Sequence, residues 1–191
     1  MKKSIMLVAF LVIALSASSA WANANLVVNP GFESGSLVPG WVGGNSVESC
    51  FTFGISCNSG NFYLAFGAVG GVATTSQDIP TIVGNTYTFS AWEASDGALP
   101  NEFQMSWGGN IILDLVNQSA HGYELFSFQE TATAAVTTIG LGGRNDPAFD
   151  GVDDVSVVSP EPASLSLIGN GTGFLTVGVY FLRRRKANVA E

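Results

Sequence analysis

Residues 86–92, Thr-Tyr-Thr-Phe-Ser-Ala-Trp, and residues 102–107, Glu-Phe-Gln-Met-Ser-Trp, alternate polar with apolar side chains. Successive side chains on a β-strand point to opposite faces, so this period of two predicts half-buried strands. Tyr87 shares its predicted face with Phe89, and Trp107 shares its face with Phe103. We therefore expect both of these large aromatic side chains to lie in the core rather than on a binding surface.

Six further stretches have the composition of short strands, and turn-forming residues separate them. The predicted strands are residues 25–29, 62–66, 111–116, 124–129, 137–141 and 152–158. Clusters of Gly, Asn, Asp and Pro, such as residues 83–85 and 108–110, mark the turns. No stretch between the chain's two ends shows a helical period. Eight or nine short strands at this spacing predict an all-β fold, a two-sheet sandwich.

The N-terminus has the three parts of a secretory signal peptide. Lys2 and Lys3 precede an apolar run over residues 5–15, and small residues lead to Ala22-Asn23-Ala24. Eleven apolar residues are too few to cross a bilayer, so a transmembrane helix is a poor alternative. We expect a signal peptide over residues 1–24 and a single domain over residues 25–159.

The C-terminus predicts a membrane-spanning segment with a defined orientation. After Pro160-Glu161-Pro162, residues 163–182 carry no charge, and Arg183-Arg184-Arg185-Lys186 follow. Twenty residues in a helix measure ~30 Å, the thickness of the hydrocarbon core. A basic cluster beside a short apolar segment stays on the cytoplasmic side. We therefore expect the domain outside and the C-terminal tail inside.

This order of motif, helix and basic cluster resembles the PEP-CTERM sorting signal of Gram-negative bacteria. The resemblance rests on Pro160, Glu161, Pro162, Arg183, Arg184 and Arg185, within the segment 160–191. It implies export across the inner membrane, recognition by the processing enzyme exosortase, and delivery to the cell envelope, cell surface or extracellular matrix. An ordinary C-terminal membrane anchor stays open as the alternative, because the helix is only marginally apolar.

Charge is distributed unevenly along the chain. Of seven Lys and Arg, only Arg144 lies in residues 25–159, and of fifteen Asp and Glu all but Glu161 and Glu191 lie there, which leaves thirteen. The resulting formal charge of −12 excludes nucleic acid as a partner. Such a domain either keeps its acids for solubility or binds cations such as calcium. Arg144 is expected to form an ion pair with Glu102 or Asp146.

Both cysteines of the chain lie in one short segment. Cys50 and Cys57 flank residues 51–56, and no histidine lies nearby to complete a metal site. An exported protein folds in an oxidising compartment, so we predict that the two form a disulfide.

Two further segments resemble the opening and closing strands of galactose-binding-like domains and related carbohydrate-binding modules. They are residues 25–33, with Gly40-Trp41 after them, and residues 152–157. The resemblance implies a jelly roll with a structural calcium ion held by Glu33, Asp153 and a backbone carbonyl near Gly31. Carboxylates and carbonyls are ligands that calcium prefers. Solvated strand-edge positions for the closing acids stay open as the alternative.

The sequence predicts no catalytic residue. It contains a single histidine, His121, and none of the common hydrolase or nucleotide-binding motifs. The main expectation is a non-catalytic envelope or matrix protein associated with exopolysaccharide. The alternatives are a lectin-like carbohydrate-binding module, for which Trp92 and Tyr63 are the candidate sugar-stacking residues, and a secreted hydrolase. Trp41 is expected to serve packing.

Overall fold

Ten β-strands and one 3-10 turn form the part of the chain that the computed structural model describes, residues 24–159. The strands are β1 (Val42–Gly43), β2 (Ser46–Ser49), β3 (Phe62–Phe66), β4 (Ala73–Pro80), β5 (Thr86–Ser95), β6 (Asn101–Trp107), β7 (Asn110–Val116), β8 (His121–Thr131), β9 (Val136–Asn145) and β10 (Asp150–Val158), with the 3-10 turn at Thr52–Gly54. Residues Ala24–Ser159 are one compact unit. Almost all of the predicted signal peptide, residues 1–23, and the predicted sorting signal, residues 160–191, lie outside the described residues.

The strands are arranged in two antiparallel sheets of five. Sheet A has the order β1-β4-β9-β6-β7, and sheet B has the order β2-β3-β10-β5-β8. Because strands adjacent in sequence often lie in opposite sheets, the chain crosses repeatedly between the two layers. This is a jelly-roll sandwich, and it confirms the predicted fold class.

Aromatic side chains from both sheets fill the space between the layers. The ring of Trp107 in sheet A lies 5.9 Å from that of Tyr87 and 6.2 Å from that of Phe89 in sheet B. Trp41 is also buried, and its indole N–H donates a hydrogen bond to the Asn29 carbonyl. The core positions predicted from the alternation are therefore confirmed for Tyr87 and Trp107, and the packing role expected of Trp41 is confirmed as well.

The predicted opening strand, residues 25–29, is not a strand of either sheet. It runs beside β10, where the Leu26 amide donates to the Val157 carbonyl, and the Asn25 side chain bonds the backbone of Val155 and Val157. Asn29 then adopts a positive φ of 54°, and Pro30 has no N–H to donate. The turn at this point ends the pairing with β10 before a ladder forms.

The sequence patterns did not predict three of the ten strands, β1, β2 and β4. β1 and β2 contain two and four residues, too few to show a period. β4 begins Ala-Thr-Thr-Ser-Gln, whose small polar residues hide the alternation, although Thr75 and Gln77 are buried. No helix within residues 24–159 is long and apolar enough to cross a membrane.

The predicted disulfide between Cys50 and Cys57 is present, with the two Cα atoms 5.1 Å apart. The loop that it closes packs on the outer face of sheet B. There Ile55 forms a small apolar cluster with Tyr63 and Ala65, and Tyr123 packs against its edge. The disulfide prediction is confirmed.

Candidate functional site

The three residues predicted to bind calcium lie close together, where the opening segment of the domain meets β10. A Cβ atom on Gly31 would lie 3.5 Å from Asp153 Oδ1 and 3.7 Å from Glu33 Cγ. It would also lie 3.3 Å from Oδ1 of Asp154, which the prediction did not include among the ligands. The fold thus brings the two carboxylates of β10 and the Cγ atom of Glu33 close to this glycine.

Backbone amides from the segment after the disulfide bind these carboxylates. The amides of Asn58 and Ser59 donate to Asp153 Oδ2 at 2.9 and 3.0 Å. The amides of Asn61 and Phe62 donate to Glu33 Oε1 at 2.9 and 3.1 Å. N–H bonds of this kind stabilise the charged form of a carboxylate without a cation. We call Glu33, Asp153, Asp154 and residues 58–62 the carboxylate clamp.

The carboxylate clamp has the donor chemistry of a calcium site but not its arrangement. Burial raises the pKa of Asp153 to about 6; the neighbouring Asp154 charge also raises it, and the amide hydrogen bonds oppose the rise. No group of three or more His, Cys, Asp or Glu within residues 24–159 is arranged to hold a metal ion. Carboxylate oxygens are ligands that calcium prefers, but several of those in the clamp already accept hydrogen bonds from backbone amides. Calcium binding therefore stays a prediction.

The two predicted sugar-stacking residues have different environments. Tyr63 is fully buried beneath the disulfide loop, and its hydroxyl donates to the Thr52 carbonyl. It has no ring face to offer a ligand. Trp92 is half-buried on the outer face of sheet B, in register with Asp153 on β10 and Leu125 on β8. Only Trp92 of this pair stays a candidate.

A network of planar polar side chains lies on the outer face of sheet A. The amide nitrogen of Gln104 on β6 donates to Glu102 Oε1 at 2.7 Å and to Asp114 Oδ1, on β7, at 3.3 Å. We call Glu102, Gln104 and Asp114, with Arg144 of β9, the polar face. Its groups lie on three adjacent strands and are oriented by each other.

Arg144, the one Lys or Arg within residues 24–159, forms the predicted ion pair. Its Nε and Nη2 atoms donate to the two carboxylate oxygens of Asp146 at 2.6 and 2.9 Å. This bond, together with one from the Gly70 amide, lowers the pKa of Asp146 to about 2. Glu102 lies directly across from Arg144 on the neighbouring strand. Of the two predicted partners, Asp146 is the one that binds Arg144. The other N–H groups of the guanidinium can still donate beside the polar face.

A glycine leaves room for the central amide of the polar face. Gly142 on β9 faces outward, and a Cβ there would lie 3.3 Å from both Cβ and Oε1 of Gln104 and 2.8 Å from Val72 Cγ1. Without that Cβ, the Gln104 amide can lie flat against β9. The Gln104 amide therefore lies over β9 and is oriented by hydrogen bonds to two carboxylates.

A second acidic cluster lies inside the sandwich, and the sequence analysis missed it. Glu93 follows Tyr87, Phe89 and Ala91 on the core face of β5 and is fully buried. Burial, with the nearby charge of Asp150 as a second cause, raises the pKa of Glu93 to about 8. The alternation could have predicted this burial, because Glu93 lies two residues after Ala91 and so points to the same core face.

The partners of Glu93 come from the β7–β8 connection and the start of β8. Gln118 donates to Oε1 at 3.4 Å, whereas His121 Nε2 lies 3.4 Å from Oε2 without hydrogen-bond geometry. Asp150 is equally buried, and its Oδ2 has no hydrogen-bond partner. Because Glu93 and Asp150 are fully buried, the two acids are suited to a structural and pH-dependent role rather than to catalysis on an outside substrate.

No protein-family model and no curated protein matches this chain, but solved structures do. The structure of TmCBM61 in complex with β-1,4-galactotriose has a TM-score of 0.55 at 15% identity, covering 71% of this chain and 99% of that one. The CBM22-1 xylan-binding domain from Paenibacillus barcinonensis Xyn10C has a TM-score of 0.52 at 14% identity, covering 75% and 99%.

A third match is not named as a carbohydrate-binding module. The K3 cleaved adhesin domain of Lys-gingipain from Porphyromonas gingivalis has a TM-score of 0.51 at 13% identity, covering 71% of this chain and 98% of that one. At these identities the likeness shows the shared fold alone. All three chains have nearly the same extent as the described domain, so the match is to a complete jelly roll.

Proposed function

We propose that residues 24–159 bind polysaccharide without catalysing a reaction on it, and that the polar face is the contact surface. The observation that carries this proposal is the preorganised set of Glu102, Gln104 and Asp114 beside Arg144. The fold likeness to carbohydrate-binding modules supports it.

Sugar hydroxyls can both donate and accept, and the polar face offers both kinds of partner. The carboxylates of Glu102 and Asp114 and the amide oxygen of Gln104 accept from hydroxyl groups, while the Arg144 guanidinium donates to them. Hydrogen bonds that involve ionised groups are the stronger ones. Because each group is already oriented by a neighbour, binding a sugar orders few additional side chains.

Affinity electrophoresis on xylan and β-1,4-galactan gels tests the proposal. Wild-type protein should be retarded, and Gln104→Ala and Arg144→Leu should each lose the retardation. Gln129→Ala is the matched control, because Gln129 is exposed on the outer face of sheet B. Retardation that survives both variants, or that only Trp92→Ala abolishes, contradicts the assignment to the polar face. Release of reducing sugar from either polymer contradicts the non-catalytic role and supports the hydrolase alternative.

We also propose that the segment 160–191 directs the domain to the cell envelope or extracellular matrix as an exosortase substrate. The support is the order of Pro160-Glu161-Pro162, the uncharged residues 163–182 and the basic cluster 183–186. Exopolysaccharide is then the polymer that the exported domain would meet. Glu161→Ala should leave an unprocessed, membrane-retained protein. Intact masses that show wild type and variant both retaining the basic cluster, and differing only by the substitution, would leave an ordinary anchor as the explanation.

Calcium is a further proposal for the carboxylate clamp. Glu33, Asp153 and a backbone carbonyl near Gly31 would hold the ion, which would supply the positive charge that this cluster lacks. Arg144, the one Lys or Arg between residues 24 and 159, is bonded to Asp146 instead. An ion there would hold the opening segment to β10 and so stabilise the native state.

A further inference from the structure

The loop closed by the disulfide, residues 50–57, carries two phenylalanine side chains that the fold leaves largely in solvent. Phe51 is 77% exposed and Phe53 is 50% exposed. Both residues have a left-handed backbone, with φ of 68° and 56°. A positive φ is an outlier for a bulky side chain, and glycine or asparagine adopts it more readily. Because so little of Phe51 is buried, packing does not explain why this position carries an aromatic ring.

Contacts within the loop and beneath it hold the backbone of both phenylalanines in place. The disulfide joins the ends of the loop, and Ile55 is buried against Tyr63 and Ala65. The Phe51 amide donates to the Ile55 carbonyl at 2.7 Å. Residues with a positive φ persist where the surrounding structure determines them, and they are concentrated at binding and catalytic sites. The loop is therefore ordered before any ligand arrives, which lowers the cost of binding.

The ring of Phe53 presents one open face. Its other face is stacked on Phe149, with the ring centroids 3.7 Å apart and the planes 7° from parallel. Phe149 in turn lies against Gly67, directly after β3, where a Cβ atom would overlap its ring. Because half of the Phe53 side chain is exposed although one face is covered, the uncovered face is turned to solvent. We call Phe51, Phe53 and Phe149 the aromatic site.

The surroundings of the aromatic site favour a neutral sugar as its ligand. Beside the rings, the hydroxyls of Ser49 and Thr52 share an exposed hydrogen bond of 3.0 Å, and both can donate to or accept from a sugar hydroxyl. A pyranose matches this combination, because its C–H groups form an apolar ring face and hydroxyls surround that face. Thirteen Asp and Glu against Arg144 within residues 24–159 repel anionic polymers and anionic lipid surfaces. Two exposed rings are also too small a surface for a protein interface, which buries about 800 Å² on each partner.

We propose that the aromatic site is a second contact for polysaccharide, in which the apolar face of a neutral pyranose stacks on Phe53. This inference rests on the proposed polysaccharide binding of the domain, but it does not depend on the polar face. The disulfide loop packs on the outer face of sheet B, through Ile55, whereas the polar face belongs to sheet A. The two contacts therefore lie on opposite sides of the sandwich, and each can be removed without changing the other.

An NMR titration of residues 24–159, which form one compact unit, with xylohexaose and with β-1,4-galactotriose distinguishes the two contacts. The amide signals of residues 51–54 should shift, and they should shift equally in Gln104→Ala, in which the signals of β6 no longer respond. Phe53→Ala should raise the dissociation constant measured at the loop about three- to tenfold, as expected for the loss of one aromatic stacking contact. Phe53→Tyr, which keeps the ring, should bind like wild type. The matched control is Val83→Ala, which removes exposed apolar surface in the turn between β4 and β5 and should leave the affinity unchanged.

Phe51→Asn separates binding from folding. Asparagine tolerates a positive φ, so this variant should melt no lower than wild type and should still lose affinity for the sugar at the loop. A lower melting temperature with unchanged affinity would show that the Phe51 ring serves the fold, and it would overturn the assignment of this ring to the site.

The pattern of shifted signals also decides between this inference and the proposed function. Shifts confined to β6, β7 and β9 overturn the aromatic site and leave the polar face standing. Shifts confined to residues 51–54 support the aromatic site and contradict the polar face. No shift with either sugar contradicts polysaccharide binding itself, and this inference with it. Shifts of residues 51–54 with phosphatidylcholine vesicles but with neither sugar overturn the proposal in favour of a lipid surface.

Discussion

The backbone amide of Asn58 donates a hydrogen bond of 2.9 Å to Oδ2 of Asp153, which joins residues 95 positions apart. Asn58 follows Cys57 directly, so the disulfide determines where this amide lies. Asp153 belongs to β10, in the middle of sheet B. A local covalent link thereby helps to position a contact between the disulfide loop and the last strand of the domain.

Removing the disulfide should destabilise the domain. Closing the loop of residues 50–57 contributes about 2.5 kcal/mol by the chain-entropy estimate. The double variant Cys50→Ser, Cys57→Ser should lose about that much free energy of unfolding in urea denaturation. Wild-type protein kept in reductant is the control and should match the variant. An unchanged midpoint in both would show that the loop is held by its packing on Tyr63 alone.

Asp153→Asn should be more destabilising than Asp154→Asn, measured with chelator present. The buried Asp153 accepts backbone amides that an asparagine amide group cannot fully satisfy, at a cost of about 1–3 kcal/mol. Asp154 accepts only from the side chains of Asn58 and Ser59, and its φ of 48° is one that asparagine tolerates. Equal losses of unfolding free energy would contradict the ranking.

Calcium should raise the melting temperature of wild-type protein. At a hundredfold excess over Kd, a ligand that binds only the native state stabilises it by about 2.7 kcal/mol. For a domain of this size that is roughly 6 to 10 °C. The rise should be absent in Glu33→Gln. Identical melting in chelator and in millimolar calcium would mean that the amides of residues 58–62 already serve in place of the ion.

Glu93→Gln should change how stability depends on pH. The folded-state pKa of Glu93 is about 8, above the ordinary value of 4.5. Between these values the native state binds more protons than the unfolded state, so wild-type protein loses stability as pH rises. Asp150 on β10 and Glu124 on β8 add to this effect by repulsion, Gln118 opposes it, and His121 lies beside the carboxylate.

Glutamine cannot ionise, so the variant should gain stability relative to wild type from pH 5 to pH 8, by up to about 4 kcal/mol. Denaturation curves at the two pH values measure the difference. Glu124→Gln, at an exposed position of the same region, is the control and should track wild type. Parallel curves for Glu93→Gln and wild type would show that Glu93 titrates normally.

Gly143→Ala should destabilise the core, whereas Gly122→Ala should not. A Cβ on Gly143 would overlap the ring of Phe66 from the opposite sheet, while a Cβ on Gly122 would meet no atom within 4 Å. Overpacking of this kind costs about 1–3 kcal/mol. Thermal unfolding of the two variants measures the contrast. Equal melting temperatures would show that Phe66 moves aside freely.

Short-range patterns in the sequence predicted much of this fold. The alternation in residues 86–92 and 102–107 correctly predicted two interior strands, β5 and β6, and placed Tyr87 and Trp107 in the core. The disulfide followed from Cys50 and Cys57 lying seven positions apart. These features depend on side-chain periodicity and on local chain closure, and the sequence contains both.

Only the tertiary structure decided which strands are neighbours and which surfaces remain open. A period of two assigns residues to the two faces of a strand but does not identify the neighbouring strands, so nothing in residues 110–116 showed that β7 would lie at the edge of its sheet. The burial of Tyr63 depends on the disulfide loop folding over sheet B, and the polar face depends on β6, β7 and β9 lying side by side. Such contacts join distant residues, and their geometry is determined only when both sheets close around a common core.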